Sequence, residues 1–323
     1  MNPRRFTRTI RLVLGGLAII ASAAGAQDYP TRPITILVPQ PPGSASDNVT
    51  RPIAQAMQEM LGQPVIVENR PGAAGMIGMG QAARSKPDGY TLVIVSNTTM
   101  AANPSMFKKL PYDAAKDFAP VALLGRTSMM YVVRPDFPAH SLDALVAEAK
   151  RRKAPLTAGY GSSTARVALN MLTSTTGMLV TPVPYPGTPR LMVELLGAQV
   201  DLAVVDVGAG VVQARVGKVR PLAIAASRKL ETSGDVPTIA EQHPGVFMDT
   251  WIAIAAPAGT PPTIIQRVNA VVNAAASRLE VRQALQTVAI DLATSTPQEL
   301  DSMIKSDQQR WPKLIRDAGI QPE

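Results

Sequence analysis

A chain of 323 residues with 46% apolar and 17% charged side chains is long for one domain and comfortable for two, and its composition is that of a folded protein with a sizeable core. It contains no cysteine, which excludes disulfides, a thiolate metal site, a catalytic thiol and a lipidated N-terminal cysteine. The formal charge of +8 carries no basic block interleaved with aromatics, so nucleic acid is not an expected partner.

Arg4, Arg5, Arg8 and Arg11 precede an apolar run from Leu12 to Ala24, and no acid occurs before Asp28. Ala24-Gly25-Ala26 then supplies the small residues of a cleavage site, so residues 1–26 read as a secretory signal peptide whose apolar run is too short for a stable membrane anchor. Arg4-Arg5 is taken as part of the basic leader rather than as a twin-arginine signal. Cleavage after Ala26 removes four arginines and leaves 28 basic against 24 acidic residues, a mild +4. No later segment reaches spanning length without charge or proline, and a soluble, exported monomer is expected.

Strands and helices then alternate. Ile34 to Val38 reads as a strand, Asn48 to Leu61 as a helix, Val65 to Glu68 as a strand, Arg70 to Gly75 as a loop, and Met76 to Arg84 as a short helix. Thr91 to Val95 and Met129 to Val133 are apolar strands, with a helix from Ser141 to Arg151 capped by Ser141. Thr157 belongs to a strand, followed by a helix from Ala165 to Thr175. Asp201 to Val205 is a buried strand, Ala209 to Val216 a helix closed by Gly217, and Pro221 to Ala225 a strand. Trp251 to Ala256 is strand-like, Thr263 to Arg278 a long helix, and short helices from Glu280 and Pro297 finish the chain. Such alternation predicts parallel sheets with helices on both faces.

The loop Pro41 to Asn48, P-P-G-S-A-S-D-N, joins an apolar strand to a helix. A strand that passes through a glycine-containing loop into a helix leaves backbone amides unpaired beside the positive end of the helix dipole, a receptor for an anionic or polar ligand. Gly43 permits close backbone approach, and Ser44 and Ser46 add hydroxyls. Asp47 has two readings: a pocket-facing group for an amine or a water, or an N-cap of the following helix. G-Y-G-S-S-T, Gly159 to Thr164, is a second loop of this kind, and two such loops predict a ligand held between two lobes. Asn97 and Thr98 lie where a strand ends, the place where open α/β sheets bind ligands, and Asp206 ends the strand Asp201 to Val205, as a ligand contact or a structural cap.

Several strings are familiar in this order. They include Y-P-T-R-P-I (Tyr29 to Ile34), P-P-G-S-A-S-D (Pro41 to Asp47), G-Q-P-V-I-V-E-N-R-P-G-A-A-G (Gly62 to Gly75), P-D-G-Y-T-L (Pro87 to Leu92), V-P-Y-P-G (Val183 to Gly187), D-V-P-T-I-A-E (Asp235 to Glu241) and P-A-G-T-P (Pro257 to Pro261). Through them the chain, from about Tyr29 to Ile320, resembles the Bug family of periplasmic solute-binding proteins, receptors of tripartite tricarboxylate transporters. The resemblance implies an α/β chain with the type II periplasmic-binding-protein fold: two α/β lobes joined by two crossover strands, with the ligand cleft between them. The crossings are placed near Leu123 to Arg126 and Met248 to Trp251. Lobe one then comprises residues 27–125 and 250–323, and lobe two residues 126–249, closing around ligand by a hinge motion.

The same resemblance implies that both loops grip a ligand carboxylate. Carried onto this chain, the first loop is Pro42, Gly43, Ser44, Ala45, Ser46 and Asp47, and the second is Tyr160, Gly161, Ser162, Ser163 and Thr164. Where the family often has a histidine at the second helix start, this chain has Ala165-Arg166, and Arg166 reads either as a contact to a distal carboxylate or as a solvated arginine. Tyr185 matches the V-P-Y-x-G segment, Pro186 stands where lysine is common, and Gln40 stands where an aromatic is frequent.

An enzyme is not expected. The two histidines, His140 and His243, sit in polar loop contexts, G-x-S-x-G is absent, and so is metal-ligand spacing. No cofactor or metal is expected. The implied partners are a small organic acid and the membrane subunits of a tripartite tricarboxylate transporter. The alternative, presentation of the ligand to a membrane sensor kinase, needs the same two-lobed receptor and is separated by the neighbouring genes rather than by the residues.

Overall fold

The structure is a computed structural model describing residues 29–243 and 247–322; the expected signal peptide lies outside the described residues. From Arg32 onwards the chain forms one continuous unit. Its strands are β1 (Ile34–Val38), β2 (Val65–Asn69), β3 (Thr91–Ser96), β4 (Phe118–Val133), β5 (Leu156–Tyr160), β6 (Val180–Pro184), β7 (Leu202–Asp206), β8 (Arg220–Ile224), β9 (Asp249–Pro257) and β10 (Asp291–Leu292). Its longer helices are α1 (Ala45–Leu61), α2 (Met76–Ala83), α3 (Leu142–Arg151), α4 (Ser163–Thr176), α5 (Thr188–Leu196), α6 (Val207–Arg215), α7 (Pro262–Ser277), α8 (Leu279–Thr287) and α9 (Pro297–Asp317).

Strands β2, β1 and β3 run parallel, with Ile36 opposite Val67 on one side and Leu92 on the other. β9 joins β3 antiparallel, Val95 facing Ala253, and β4 lies antiparallel to β9 from Phe118 opposite Pro257 to Ser128 opposite Asp249. Beyond that point β4 carries the second lobe. Met129 to Val133 pair antiparallel with β7 on one edge and β8 on the other, and β5 and β6 extend the sheet in parallel beyond β7. The expectation of parallel sheets therefore holds for each strand-helix repeat but not for β4 and β9. A chain that leaves a lobe and later returns must cross twice in opposite senses, so the two α/β lobes are joined by an antiparallel pair.

Local chemistry sets the helix ends. Ser44 is extended (φ −70, ψ 163) and its hydroxyl accepts the Asp47 amide, so α1 begins at Ala45, three residues before the position expected from the sequence. Ser141 and Ser162 cap α3 and α4 in the same way. The final helix is not short: a capping box between Thr296 and Glu299, with Pro297 in the first turn, starts a 21-residue helix that continues past Pro312. After β3 the backbone winds into a π-helical turn, Thr98–Ala102.

Apolar faces explain the packing. Leu37, Val93, Val95 and Ala253 meet Leu300 and Ile304 of α9 in one core. Further along, Trp311 and Ile315 of the same helix enter a second core with Tyr131, Leu156, Val167 and Leu202. α9 thus packs against both sheets. A third cluster, around Met130, Val205 and Leu191, fills the other face of the second sheet.

Candidate functional site

Five strand ends converge. β1 leads through Ser44 into α1, β5 through Gly161 and Ser162 into α4, β6 through Gly187 into α5, β7 directly through Asp206 into α6, and β3 through Asn97 into the Thr98 turn. All five junctions contribute to the lining of one cavity of about 60 Å³. One water needs roughly 10–15 Å³ by this measure, so the space suits a small molecule rather than a polymer.

From one side, Ser44, Ala45 and Ser46 present the start of α1 to this cavity. The Asp47 amide is taken by Ser44, whereas the amides of Ala45 and Ser46 belong to a first turn that has no intrahelical acceptor. From the other side, Gly161, Ser162 and Thr164 present the start of α4. Gly161 has a steric reason to be glycine: a Cβ there would lie 2.6 Å from the Gly187 carbonyl carbon and 2.7 Å from the Thr188 nitrogen. Two helix dipoles thus point their positive ends at the same small volume.

Among the described residues lining this cavity there is no Lys, Arg or His, and the single ionisable side chain is Asp206. Thr188 Oγ1 donates to Asp206 Oδ2 at 2.7 Å. Burial raises the Asp206 pKa above the ordinary carboxylate value, and the hydrogen bonds from Thr188 and from its own amide offset this only in part.

Two contacts tie the walls together. Thr98 Oγ1 and Thr164 Oγ1 lie 2.7 Å apart, and Ser163 Oγ donates to Asn103 Oδ1 at 2.7 Å. Asn103 in turn donates to the Ala74 carbonyl. Below them, Asp307 of α9 accepts from Asn97 Nδ2 at 2.6 Å and from Trp251 Nε1 at 2.7 Å, while Asn97 Oδ1 accepts the Trp251 amide at 2.7 Å. Asn97, 1% exposed, is thereby fixed between β3, β9 and α9.

The sequence candidates separate into groups. Gln40, Ser44, Ala45, Ser46, Asn97, Thr98, Gly161, Ser162, Thr164 and Asp206 line the central cavity. Tyr160, Ser163, Arg166 and Tyr185 instead line an adjoining pocket of about 510 Å³, which shares Gly161 and Ser162 with the cavity. Pro42 is not among the lining residues, and Gly43 faces a neighbouring groove shared with Ala45, Thr188 and Asp206. Gly43, at φ +78, donates its amide to Asp47 Oδ2 at 2.9 Å rather than offering it to the cavity.

Asp47 neither lines the cavity nor caps the helix, since Ser44 is the cap. Its carboxylate also accepts from Arg51 Nε at 3.0 Å and Asn69 Nδ2 at 2.9 Å. Burial pushes its pKa up, but the bonds from Arg51, Gly43 and Asn69 outweigh burial and hold it below the ordinary value. Asp47 is a clamp that shapes the first loop.

Sequence reasoning did not identify Thr127, Thr250 and Thr188 in the lining, or Asp307 beneath it. Thr127 stands between Arg126 and Ser128, and Thr250 follows Asp249, so neither threonine stands out in its strand. Nothing local marks Asp307, which is 210 residues from Asn97 in the chain.

The chain is similar to known proteins along nearly its whole length. Residues 49–320 match the family described as tripartite tricarboxylate transporter family receptor. Protein BugT of Bordetella pertussis is 34% identical over 323 residues, covering 99% of each chain. The structure of R. palustris Rpa4515 with adipate superposes with a TM-score of 0.88 at 29% identity, covering 91% of this chain and 100% of that one. MatC from Rhodopseudomonas palustris with bound malate gives 0.82 at 30% identity, covering 89% and 100%. The two-lobed fold with its cleft is the type II periplasmic-binding-protein fold. A full-length match in sequence, together with a structure that superposes on binding proteins of this type, makes the chain a member of the tripartite tricarboxylate transporter receptor family, to which the Bug proteins belong.

Proposed function

We propose that this protein is a periplasmic receptor that captures a small organic anion of the carboxylate class and delivers it to the membrane subunits of a tripartite tricarboxylate transporter. The observation that carries this reading is the convergence of the first turns of α1 and α4 on one small, hydroxyl-lined cavity without a basic side chain. Backbone amides and hydroxyls bind a carboxylate without a counter-ion, because helix dipoles and oriented N–H groups supply the positive potential. The adipate and malate held by the two structural neighbours are acids of this class.

In this reading, lobe one comprises residues 27–125 and 250–323, lobe two residues 126–249, and β4 and β9 form the hinge. Ligand favours the closed arrangement by its extra affinity for it. Residues 1–26 direct export and are removed near Ala26. Among the described residues no helix is long and apolar enough to cross a membrane.

The test is the melting temperature of residues 27–323 against mono-, di- and tricarboxylates, amino acids and neutral amides. An acid at a hundred times its dissociation constant adds about 2.7 kcal/mol of stability. A rise restricted to organic acids supports the reading, and a rise only with amines or neutral compounds overturns it. Deletion of the gene separates delivery from sensing: uptake of the acid is lost in the first case, and only gene induction in the second.

A further inference from the structure

The central cavity, at about 60 Å³, is less than half the size of a cavity of about 150 Å³ that takes one benzene molecule. It seats a carboxylate and a short stem, and a bulkier remainder has to lie elsewhere. The adjoining pocket of about 510 Å³ falls within the range of small-molecule sites, roughly 300–1,000 Å³. Gly161 and Ser162 border both spaces, so the start of α4 is a wall common to the two.

The lining of this pocket is unlike that of the cavity. Phe107, Tyr160 and Tyr185 bring three rings to it in a chain that is only 4% aromatic, and Met106, Pro184 and Pro186 add apolar surface. The three aromatic residues are half-buried, so each keeps surface that a ligand can cover. Among the described residues lining the pocket, Arg166 is the one charged side chain, and there is no carboxylate to oppose an anion. Aromatic walls favour an aromatic guest, because rings gain from offset-stacked and edge-to-face contacts beyond the area that they bury.

One part of the wall is strained. Gly72, Ala73, Ala74 and Gly75 have φ of +125, +46, +53 and +87 in succession, and the left-handed region is costly for the two alanines. Asn103 donates to the Ala74 carbonyl at 3.0 Å and accepts from Ser163 Oγ at 2.7 Å. Ala73, Ala74 and Ser163 all line the pocket, so Asn103 ties the strained turn to the start of α4. Strain of this kind persists where the surroundings fix it, as at ligand clamps.

We propose that this pocket seats the ring of an aromatic carboxylic acid whose carboxylate lies at the start of α4, so that aryl acids are the preferred ligand class. This rests on the receptor reading above and narrows its ligand.

The experiment compares benzoate, cyclohexanecarboxylate, acetate and succinate by titration calorimetry on residues 27–323. Wild type is expected to bind benzoate at least about tenfold more tightly than acetate. It should also prefer benzoate by about threefold over cyclohexanecarboxylate, which has as many carbons but no flat ring. Phe107→Ala should weaken benzoate by about fivefold or more, a loss that falls on the ring-bearing acid and not on acetate. Anomalous scattering from crystals grown with 4-bromobenzoate should place the ring among Phe107, Tyr160 and Tyr185, and this arm uses wild type, so it holds even where a variant does not fold. A ring found outside this pocket overturns the proposal. So does benzoate bound no better than acetate or cyclohexanecarboxylate, or a benzoate preference that survives Phe107→Ala. Binding of acetate or succinate without benzoate sinks the aryl seat and leaves the receptor reading standing, whereas failure to bind any organic acid defeats both.

Discussion

Thr98 and Thr164 meet hydroxyl to hydroxyl, their oxygens 2.7 Å apart and both side chains buried. One follows β3 in the first lobe and the other lies in the first turn of α4 in the second. The bond therefore exists only when the two walls of the cleft are together, and in the proposed hinge motion it favours the closed arrangement.

Replacing Thr164 by valine keeps the shape and removes this bond. A net loss of about 0.5–1.5 kcal/mol is expected for one hydrogen bond, which raises the ligand dissociation constant roughly two- to tenfold. Calorimetry reads the affinity, and small-angle scattering should show a larger radius of gyration before ligand is added. An affinity and radius equal to those of wild type would remove Thr164 from the closing mechanism.

Ser163 bonds Asn103 rather than lining the central cavity. Ser163→Ala leaves the buried Asn103 carbonyl oxygen without this donor, a cost of about 1–3 kcal/mol. Urea unfolding without ligand should reveal it. If ligand-free stability is unchanged and affinity alone falls, Ser163 is a ligand contact and the latch assignment is wrong.

Asp206 makes stability depend on pH with a definite sign. Burial raises its folded pKa, so the folded state holds the proton more tightly than the unfolded state. Its stabilising effect is complete below the ordinary carboxylate pKa and is lost as pH rises through the raised value. Asp206→Asn cannot ionise, so its stability relative to wild type should improve between pH 4 and pH 7. Unfolding midpoints in urea at both pH values check this, and a difference that does not change with pH contradicts it.

Asp307 holds Asn97 and the Trp251 indole at once. Asp307→Ala strands both buried donors and should cost on the order of 3 kcal/mol, with weaker ligand binding because Asn97 lies in the cavity wall. Asp307→Asn retains an acceptor oxygen and should cost less. Tryptophan fluorescence, from Trp251 and the buried Trp311 together, follows unfolding, and equal stability of all three proteins would show that the network is not needed.

The strand-helix alternation was legible because apolar runs, glycines and serine caps act locally. Ser141 was read correctly as a cap, and the loops at Ser44 and Ser162 were placed at helix starts. The start of α1 was misplaced because Ser44 and Asp47 are both good caps by type, and only the bond from Gly43 to Asp47 shows that the aspartate holds the loop instead. The last helix is longer than expected: it continues past Pro312, with Trp311 and Ile315 packed in the core on either side of that proline.

The sequence by itself determined the family, the order of elements and the two glycine- and serine-rich junctions, since these depend on residues adjacent in the chain. Tertiary structure decided which polar groups share a cavity. Thr127 meets Thr250, Asn97 meets Asp307 and Thr98 meets Thr164 only after two antiparallel crossings bring distant segments together. The physical reason is that a hydroxyl or carboxylate has the same local signature whether it caps a helix, latches two walls or faces a ligand. Its role is fixed by the partner that packing puts within 3 Å.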